Sequence, residues 1–394
     1  MSLLQLPNNV RPCQNEHPNP AETKVNCRLC ELFENNSKYR VLWGGEPLKV
    51  ESYNGKYKIT KVDTSTLPPS QQGAYFNASI IRFKGKLLLA YRTGWKDAQC
   101  SIAELDENYS PRRNTILYGL KCPAAAWGRE DPRLFIFRGK LHIAYIGVLT
   151  GSGPTNQLYA RLNDDLTVSE VFVPNYQYRT PWEKNWSMFE WEGEMFAVYQ
   201  TGPKHAIIHL NGNRAYPFTE TTNTFPWSGG KLSGGAPPIR VGNYFYHWFH
   251  GRLGAWSYGV YTVGVNIFEA KPPFRVVAQT ANPLVTGQKE WRLPYQSENF
   301  PAAVFPSGAV LENGKWIVSN GVQDHWIEIH EWDAKDIENA LRRSPRGECE
   351  HLGKRTEFKV GCSGWKCKHE CTAGEPVAEP GGVCQVCPKW SSAD

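Results

Sequence analysis

Short apolar strands and glycine turns alternate through the middle of the chain. Between about Tyr75 and Trp332 one unit recurs, in which a glycine turn is followed by aromatic and branched residues that end on a polar group. The instances are "FKGKLLLAYRTG", "FRGKLHIAYIG", "WEGEMFAVYQTG", "RVGNYFYHWFHG" and "ENGKWIVSNGVQD". Each glycine also follows another short apolar run, such as "ASIIRF" or "PRLFIF". Two such runs around a short turn predict a β-hairpin.

The spacing of these units predicts how the hairpins assemble. The first four lie about 50 residues apart, a typical period for propeller blades. Helical periodicity is nearly absent, and its one clear instance is "DAKDIENALRR" from Asp333. The pattern therefore predicts an all-β fold, a five-bladed β-propeller whose inner strands converge on a central channel. A β-sandwich with coincidental spacing is the alternative. The turn glycines are Gly85, Gly139, Gly193, Gly242 and Gly314.

The cysteines divide the chain into three parts. Because only two of the 11 cysteines lie in the repeated region, we predict an N-terminal Cys-containing segment over 1–60, the propeller over 61–340 and a Cys-rich module over 341–394. The module has few large aliphatic residues, so a bound metal would supply the stability of a missing core. Thiolates with CxxC spacing suit Zn²⁺; an iron–sulfur cluster, disulfides or unpaired thiols are the alternatives. The candidate ligands are Cys349, Cys362, Cys367, Cys371, Cys384 and Cys387.

Composition and charge narrow the range of partners. Aromatic residues make up 13% of the chain, which suits either stacking on sugar rings or an aromatic β core. The net charge of +6 is scattered, and no block resembles a nucleic-acid-binding arm, so we expect no nucleic-acid partner. We find no secretory signal pattern and no apolar run of about 18 residues, so we expect a cytoplasmic protein without a membrane partner.

Two adjacent carboxylates, Glu130 and Asp131, stand at the start of "EDPRLFIF". Pro132 favours an extended backbone at the residue before it, so we expect Asp131 to have one fixed orientation. Such a residue either shapes a turn or acts as an acid whose carboxyl group has to point in one direction. Alternation along a strand turns neighbouring side chains to opposite faces, so Glu130 either neighbours Asp131 in a pocket or points away from it.

Polar residues also flank the strands of the other units. A ring of carboxylates, amides and cations around one channel suits a polyhydroxylated substrate, which needs many directional hydrogen bonds and a stacking face. Trp186 is our candidate for that face. The candidate pocket residues are Asn77, Arg92, Glu130, Asp131, Arg133, Lys184, Asn185, Trp186, Lys231, His250 and Asp324.

In these motifs the chain resembles glycoside hydrolase family 130, whose phosphorylases and hydrolases act on β-mannosides. The resemblance rests on "FNASIIRFKGKLLLAYR", "EDPR", "KLSGGAPPI" followed by "FHG", and "FPSGAV" followed by "NGVQD". It implies a five-bladed propeller, with Asn77 and Arg92 in sugar-contacting positions. It also implies that Asp131 is the proton donor, that Lys231 contacts inorganic phosphate as a co-substrate, and that His250 and Asp324 belong to the site.

The resemblance implies a reaction but leaves its details open. In the family's phosphorylases one Asp protonates the glycosidic oxygen while phosphate attacks the anomeric carbon, and Glu130 beside Asp131 can raise the pKa of such an acid. Gln200 stands near the place where the family supplies a phosphate-binding arginine, so Lys184, Lys231 and Arg252 would have to compensate. Hydrolysis would instead need a base, for which Glu183 and Asp324 are candidates. A glycosyltransferase and a non-catalytic carbohydrate-binding propeller remain the alternatives.

Overall fold

The structure is a computed structural model, and it describes residues 55–70, 73–95, 97–151, 153–254 and 259–343. The six cysteines that we predict as metal ligands, from Cys349 to Cys387, lie outside these residues, as does the N-terminal segment to residue 54. The metal-binding module therefore stays a prediction. In the described part of the chain, no helix is long and apolar enough to cross a membrane.

The described residues form five β-sheets, which we number 1 to 5 by their position along the chain. Sheet 1 contains β2 (Tyr75–Phe83), β3 (Lys86–Thr93), β4 (Gln99–Leu105) and β5 (Pro111–Ile116). Sheet 2 contains β6 (Gly128–Phe137), β7 (Lys140–Val148), β8 (Thr155–Leu162) and β9 (Val168–Phe172). Sheet 3 contains β10 (Asn175–Tyr176), β11 (Ser187–Trp191), β12 (Glu194–Gln200), β13 (Lys204–Asn211) and β14 (Arg214–Thr222).

The last two sheets include strands from distant parts of the chain. Sheet 4 contains β15 (Lys231–Gly234), β16 (Ile239–Val241), β17 (Tyr244–Leu253), β18 (Val260–Glu269), β19 (Val276–Thr280), β20 (Val285–Thr286) and β24 (Leu341–Arg343). Sheet 5 contains β21 (Val304–Glu312), β22 (Lys315–Val322), β23 (Trp326–Asp333) and β1 (Tyr57–Lys61). The helix α1 (Ala334–Ala340) follows β23, as predicted, although the last three residues of the predicted pattern form β24. Among the described residues, short 3₁₀ helices lie at Tyr118–Leu120, Pro123–Ala125 and Lys289–Trp291.

Tight turns at the repeated glycines join the inner strands into hairpins. Lys84 and Gly85 connect β2 to β3 with φ values of 49° and 77°, and Arg138 and Gly139 connect β6 to β7 with 48° and 67°. Two successive residues with positive φ are the mark of a type I′ turn, whose twist matches that of the paired strands. The predicted hairpins are confirmed.

The five sheets contact one another in chain order, and the last contacts the first. Contacts join β2 to β6, β6 to β11, β12 to β15, β17 to β21 and β21 to β2. The strand β1 pairs with β23, and the ring of Tyr57 stacks on that of Trp332 at 3.9 Å between centroids. The all-β, propeller-like arrangement is therefore confirmed. The sheets extend from Tyr57 to Arg343, compared with the predicted bounds of 61 and 340.

The hydrophobic core lies mainly between neighbouring sheets, and aromatic side chains fill it. Trp248 of sheet 4 packs edge-on against Trp316 of sheet 5 at 5.9 Å between centroids. Phe189 of sheet 3 packs against Phe245 of sheet 4 with tilted rings, at 4.8 Å between centroids. Much of the aromatic composition is thus explained by packing, because large rings bury much apolar area at each contact.

Candidate active site

The inner strands of the five sheets and the loops beside them surround a cavity of about 730 Å³. Its volume lies within the range of small-molecule binding sites. All five sheets or their adjoining loops contribute to the lining, so segments far apart in sequence do aim polar side chains into one space. The predicted residues that line it are Asn77, Arg92, Glu130, Asp131, Lys184, Asn185, Lys231, His250 and Asp324.

A bulge in β6 brings both adjacent carboxylates into the cavity. The register with β7 shifts between Glu130 and Arg133, so Asp131 and Pro132 have no paired partner there. Asp131 has a φ of 50°, in the left-handed region, and the extended backbone that we expected from Pro132 is wrong. Bulges re-aim side chains, and proline is tolerated at them because no ladder hydrogen bond is needed. Simple alternation therefore does not apply at this point.

Three other cavity residues, Asn77, Asn185 and Asp324, share this unusual backbone conformation. Asn77 lies at a register shift in β2 with a φ of 48°, and Asp324 follows β22 with the same φ. Left-handed backbone is costly for residues other than glycine, and it is often found at functional sites. Gly321 leaves room for Asn77, because a Cβ at Gly321 would lie 2.1 Å from Asn77 Oδ1. The site thus depends on backbone geometry as well as on side chains.

Arg92 and Asn77 fix the two carboxylates. Arg92 donates to Glu130 Oε1 at 2.9 Å and to Asp131 Oδ1 at 3.3 Å, and Asn77 Nδ2 donates to the same Oδ1 at 2.7 Å. Arg92 is itself held by the carbonyl of Gly94, and its guanidinium lies 4.8 Å from the Phe76 ring centroid. Among the described residues, no donor contacts Asp131 Oδ2. That oxygen is therefore free to interact with a ligand.

Burial and neighbouring charges shift the pKa of several cavity groups, and three of these groups bear on the chemistry of the site. Burial and the nearby charge of Asp131 raise the pKa of Glu130, although Arg92 counteracts them. Burial, together with Asp131, raises the pKa of Asp324 to about 6. Burial and the nearby Arg133 hold the pKa of His250 well below its usual value, so this imidazole is neutral near pH 7. Its Nδ1 lies 3.0 Å from the Gly234 carbonyl oxygen, so Nδ1 carries the hydrogen and donates to that carbonyl, and Nε2 is left as an acceptor.

The raised pKa of Asp324 predicts a pH dependence of stability. Because the folded chain binds this proton more tightly than the unfolded chain, stability falls as pH rises from about 4 to about 6. Relative to the Asp324→Asn variant, we expect the wild-type free energy of unfolding to fall by up to about 3 kcal/mol over this window. Denaturant unfolding at pH 4 and pH 7 measures it. An equal pH dependence in both proteins would contradict the assignment.

Cations line another part of the cavity. Lys231 of β15 and Arg252 of β17 are directly opposite each other in the ladder, and Lys184 precedes β11. None of the three forms an ion pair with a carboxylate of the described residues. Like charges on opposed strand positions are destabilising. An anion between Lys231 and Arg252 would remove that cost. Gln200 is exposed and is not part of the lining.

Two predicted substrate contacts, Arg133 and Trp186, do not line the cavity. Arg133 is 1% exposed, and it donates to the Trp186 carbonyl, to Asn185 Oδ1 and to the Gly234 carbonyl. It therefore joins sheets 2, 3 and 4 beneath the cavity, where burial lowers its pKa to about 10. Trp186 is 2% exposed and packs against Tyr176 and Tyr199, so its ring is not available for stacking on a sugar.

Glu183, one of the two candidate bases for hydrolysis, is not placed to act on a ligand in the cavity. Its carboxylate is buried, and it accepts from Trp186 Nε1 at 2.9 Å and from the Tyr199 hydroxyl at 3.3 Å. It does not line the cavity. Glu183 instead anchors the segment from which Lys184 and Asn185 reach the site. Of the two candidate bases, only Asp324 lies in the cavity.

The sequence analysis missed the aromatic part of the lining. These residues lie mostly in connections and outside the motifs, where no strand pattern marks them. One available signal was the density of aromatic residues and proline in "EWRLPYQSENFP", since functional residues are common in loops. The missed aromatic residues are Trp95, Tyr261, Tyr295, Phe300 and Phe305. In the described part of the chain, no group of three or more His, Cys, Asp or Glu side chains is placed to hold a metal ion.

The chain is similar in sequence to known mannoside phosphorylases. A family model described as beta-1,4-mannooligosaccharide phosphorylase matches residues 207–343. The beta-1,2-mannobiose phosphorylase of Thermoanaerobacter sp. is 22% identical over 304 residues, which is 66% of this chain and 90% of the relative.

Solved structures share the fold. The beta-1,2-mannobiose phosphorylase of Listeria innocua, in complex with beta-1,2-mannobiose, aligns with a TM-score of 0.52 and 14% identity, over 72% of this chain and 98% of its own. A provisionally assigned glycoside hydrolase from Parabacteroides distasonis aligns with a TM-score of 0.53 and 16% identity, over 66% and 87%. The prediction of a glycoside phosphorylase-like or glycosidase-like enzyme is confirmed, and these relatives do not support the glycosyltransferase alternative.

Proposed function

We propose that this chain cleaves β-mannosides by phosphorolysis, on a propeller whose five blades are the five sheets. The family model and the Thermoanaerobacter relative are both described as phosphorylases of β-linked mannosides. A carbohydrate-active enzyme for β-mannosides is thus the function that the similarity supports. Phosphorolysis is the reaction that we infer from the charges in the cavity.

The unpaired cations Lys231 and Arg252 carry this inference. They belong to sheet 4, whereas the carboxylates Glu130, Asp131 and Asp324 belong to sheets 2 and 5. A charge distribution of this kind has room for an anion on one side and a proton donor on the other. Guanidinium and ammonium groups are the usual partners of phosphate oxygens. Lys184, in the connection before β11, lies near the carboxylates as well as His250, because its charge acts to lower the pKa of Glu130, Asp324 and His250.

In the proposed reaction, Asp131 is the general acid. Its proton passes to the glycosidic oxygen, directly or through a sugar hydroxyl, while that oxygen's bond to the anomeric carbon breaks. A phosphate oxygen forms the new bond to the same carbon from the opposite face, so a β-mannoside gives α-mannose 1-phosphate and a sugar with a free hydroxyl. A proton from the phosphate or from water then returns the Asp131 carboxyl group to its protonated form. Asn77 and Arg92 position the acid, and Asn185 contributes hydrogen bonds to the mannosyl unit.

Hydrolysis is the second candidate, and Asp324 is the observation that favours it. A carboxylate with a pKa of about 6 can accept a proton from water near neutral pH. In that case a water molecule takes the place of phosphate, and the product is mannose. The two reactions share the proton donor and the mannosyl pocket. They differ in the attacking group, and hydrolysis also needs Asp324 as the base.

Incubation of the protein with β-1,2-mannobiose and β-1,4-mannobiose, with and without phosphate, tests the proposal. We expect mannose 1-phosphate and mannose with phosphate, and less than about 1% of that rate without it, because the attacking group is then absent. Chromatography with phosphorus detection measures the products. Release of two mannose molecules at the same rate in both conditions would show hydrolysis and overturn phosphorolysis. A failure to cleave either disaccharide would overturn the enzymatic function.

A further inference from the structure

One aromatic surface of the cavity is built from two connections that the proposed mechanism does not use. We call residues 288–301, which connect β20 to β21, the strap. Tyr295 of the strap and Trp95, which follows β3, both line the cavity, and their ring centroids lie 5.8 Å apart at an angle of 58°. Tyr295 is 49% exposed. A large aromatic ring this exposed inside a cavity offers a face that a ligand can cover.

Hydrogen bonds fix both rings to the turn that carries Asp324. The Tyr295 hydroxyl lies 2.7 Å from His325 Nδ1, and Trp95 Nε1 donates to the Asp324 carbonyl at 3.2 Å. Gln296, next to Tyr295, donates to the Gln323 carbonyl at 2.7 Å. The polar ends of the two rings are therefore satisfied within the protein. Their apolar faces remain available, and little ordering cost is left for a ligand that stacks on them.

The size of the cavity leaves room for a ligand at this surface. A hexose of about 180 Da occupies roughly 200 Å³ at the density of an organic crystal. The cavity of about 730 Å³ is several times larger. A mannosyl unit beside Asp131 and a phosphate ion between Lys231 and Arg252 would therefore leave a substantial part of it unfilled.

The direction of the reaction indicates which part of the substrate lies there. In an inverting displacement the attacking group and the leaving group occupy opposite faces of the anomeric carbon. The cation pair marks the side of the attacking phosphate. The Trp95 ring lies 6.4 Å from that of Phe76, which in turn lies against Arg92, the residue that donates to Asp131. We therefore place the aromatic surface with the proton donor, on the side of the leaving group.

We propose that Trp95 and Tyr295 form a wall that binds the apolar face of the leaving-group sugar, and that they determine which β-mannosides the chain accepts. This inference rests on the proposed function, because it takes the leaving group to be a second sugar ring. The two residues act on specificity. A ligand with one ring, held beside Asp131, does not reach the wall.

Binding measurements in the Asp131→Asn background test the wall without turnover. The ligands are β-1,2-mannobiose and β-1,4-mannobiose, which have two rings, and methyl β-mannoside, which has one. We expect Tyr295→Ala and Trp95→Ala each to weaken the binding of at least one mannobiose about tenfold, as expected for loss of a stacking face, and to change the Kd of methyl β-mannoside less than twofold. Calorimetric titration measures each Kd, and thermal melting checks that each variant is folded.

Two further variants separate stacking from other effects. Tyr295→Phe keeps the ring and loses only the bond to His325, so it should stay within about threefold of the parent for mannobiose. Tyr178→Ala removes a tyrosine that is 63% exposed and outside the cavity, and it should change neither ligand's Kd. An equal loss of affinity for one-ring and two-ring ligands would contradict the proposed wall, as would an unchanged affinity in both Tyr295→Ala and Trp95→Ala. A selective loss in a protein that cleaves neither disaccharide would uphold the wall and refute the proposed reaction.

Discussion

Replacing Asp131 with Asn is expected to lower the rate of mannobiose cleavage by about 10³-fold, within the range for loss of a general acid. The amide keeps an oxygen for the bonds from Asn77 and Arg92, so the side chain can stay in place. It has no acidic proton to give to the glycosidic oxygen. Steady-state rates with saturating phosphate measure the loss, and calorimetry measures the Kd for mannobiose, which should change less than about threefold.

Glu130→Gln is the matched comparison for this variant. Glu130 adjoins Asp131, is held by the same Arg92 and lines the same cavity, but we assign it no proton transfer. We expect a loss of about tenfold or less, since the main effect is a weaker hold on Arg92. If Glu130→Gln lost as much activity as Asp131→Asn, the proton donor would be misassigned. If Asp131→Asn kept more than a tenth of the wild-type rate and its ligand affinity, the acid role would be wrong.

The sheets could be predicted from the sequence because their signals are local. The turns at Lys84-Gly85 and Arg138-Gly139 each consist of two residues with positive φ between two apolar runs, and this pattern can be recognised in the sequence. The pairing of β1 with β23 was not visible, because these two strands of sheet 5 lie at opposite ends of the repeated region. No periodicity links Tyr57 to Trp332. Pairings of this kind depend on the whole fold.

The candidate site was predictable where a residue's direction follows from a motif. It was not predictable where the direction depends on a bulge or on packing. Asp131 reaches the cavity because β6 shifts register, which a strict two-residue alternation does not allow for. Trp186 and Arg133 lie in or beside the right motifs, but both side chains turn into the core. Trp186 packs there against tyrosines, and Arg133 finds three acceptors on two neighbouring sheets. Tyr295 lies in a loop whose path only the structure provides.

Replacing Lys231 with Met is expected to raise the KM for phosphate about 30-fold to 100-fold, as for loss of one charge-assisted bond to an anion. Mannobiose binding should be nearly unchanged, because the carboxylates and Arg92 lie on other sheets. Without phosphate, the variant should be as stable as the wild type or slightly more stable, since Lys231 opposes Arg252 in the ladder. Initial rates over a phosphate series and thermal melting at low salt measure the two effects.

This pair of effects distinguishes an anion site from a merely structural lysine. Phosphate binds the folded chain, so it should raise the wild-type melting temperature, and Lys231→Met should lose most of that rise even if no sugar is cleaved. Lys204→Met is the matched control, because Lys204 is an exposed lysine of sheet 3 that pairs with Glu220 outside the cavity. It should leave the phosphate dependence unchanged. An unchanged KM for phosphate in Lys231→Met, with an unchanged response of the melting temperature, would remove the physical basis for phosphorolysis and leave Asp324-assisted hydrolysis as the better assignment.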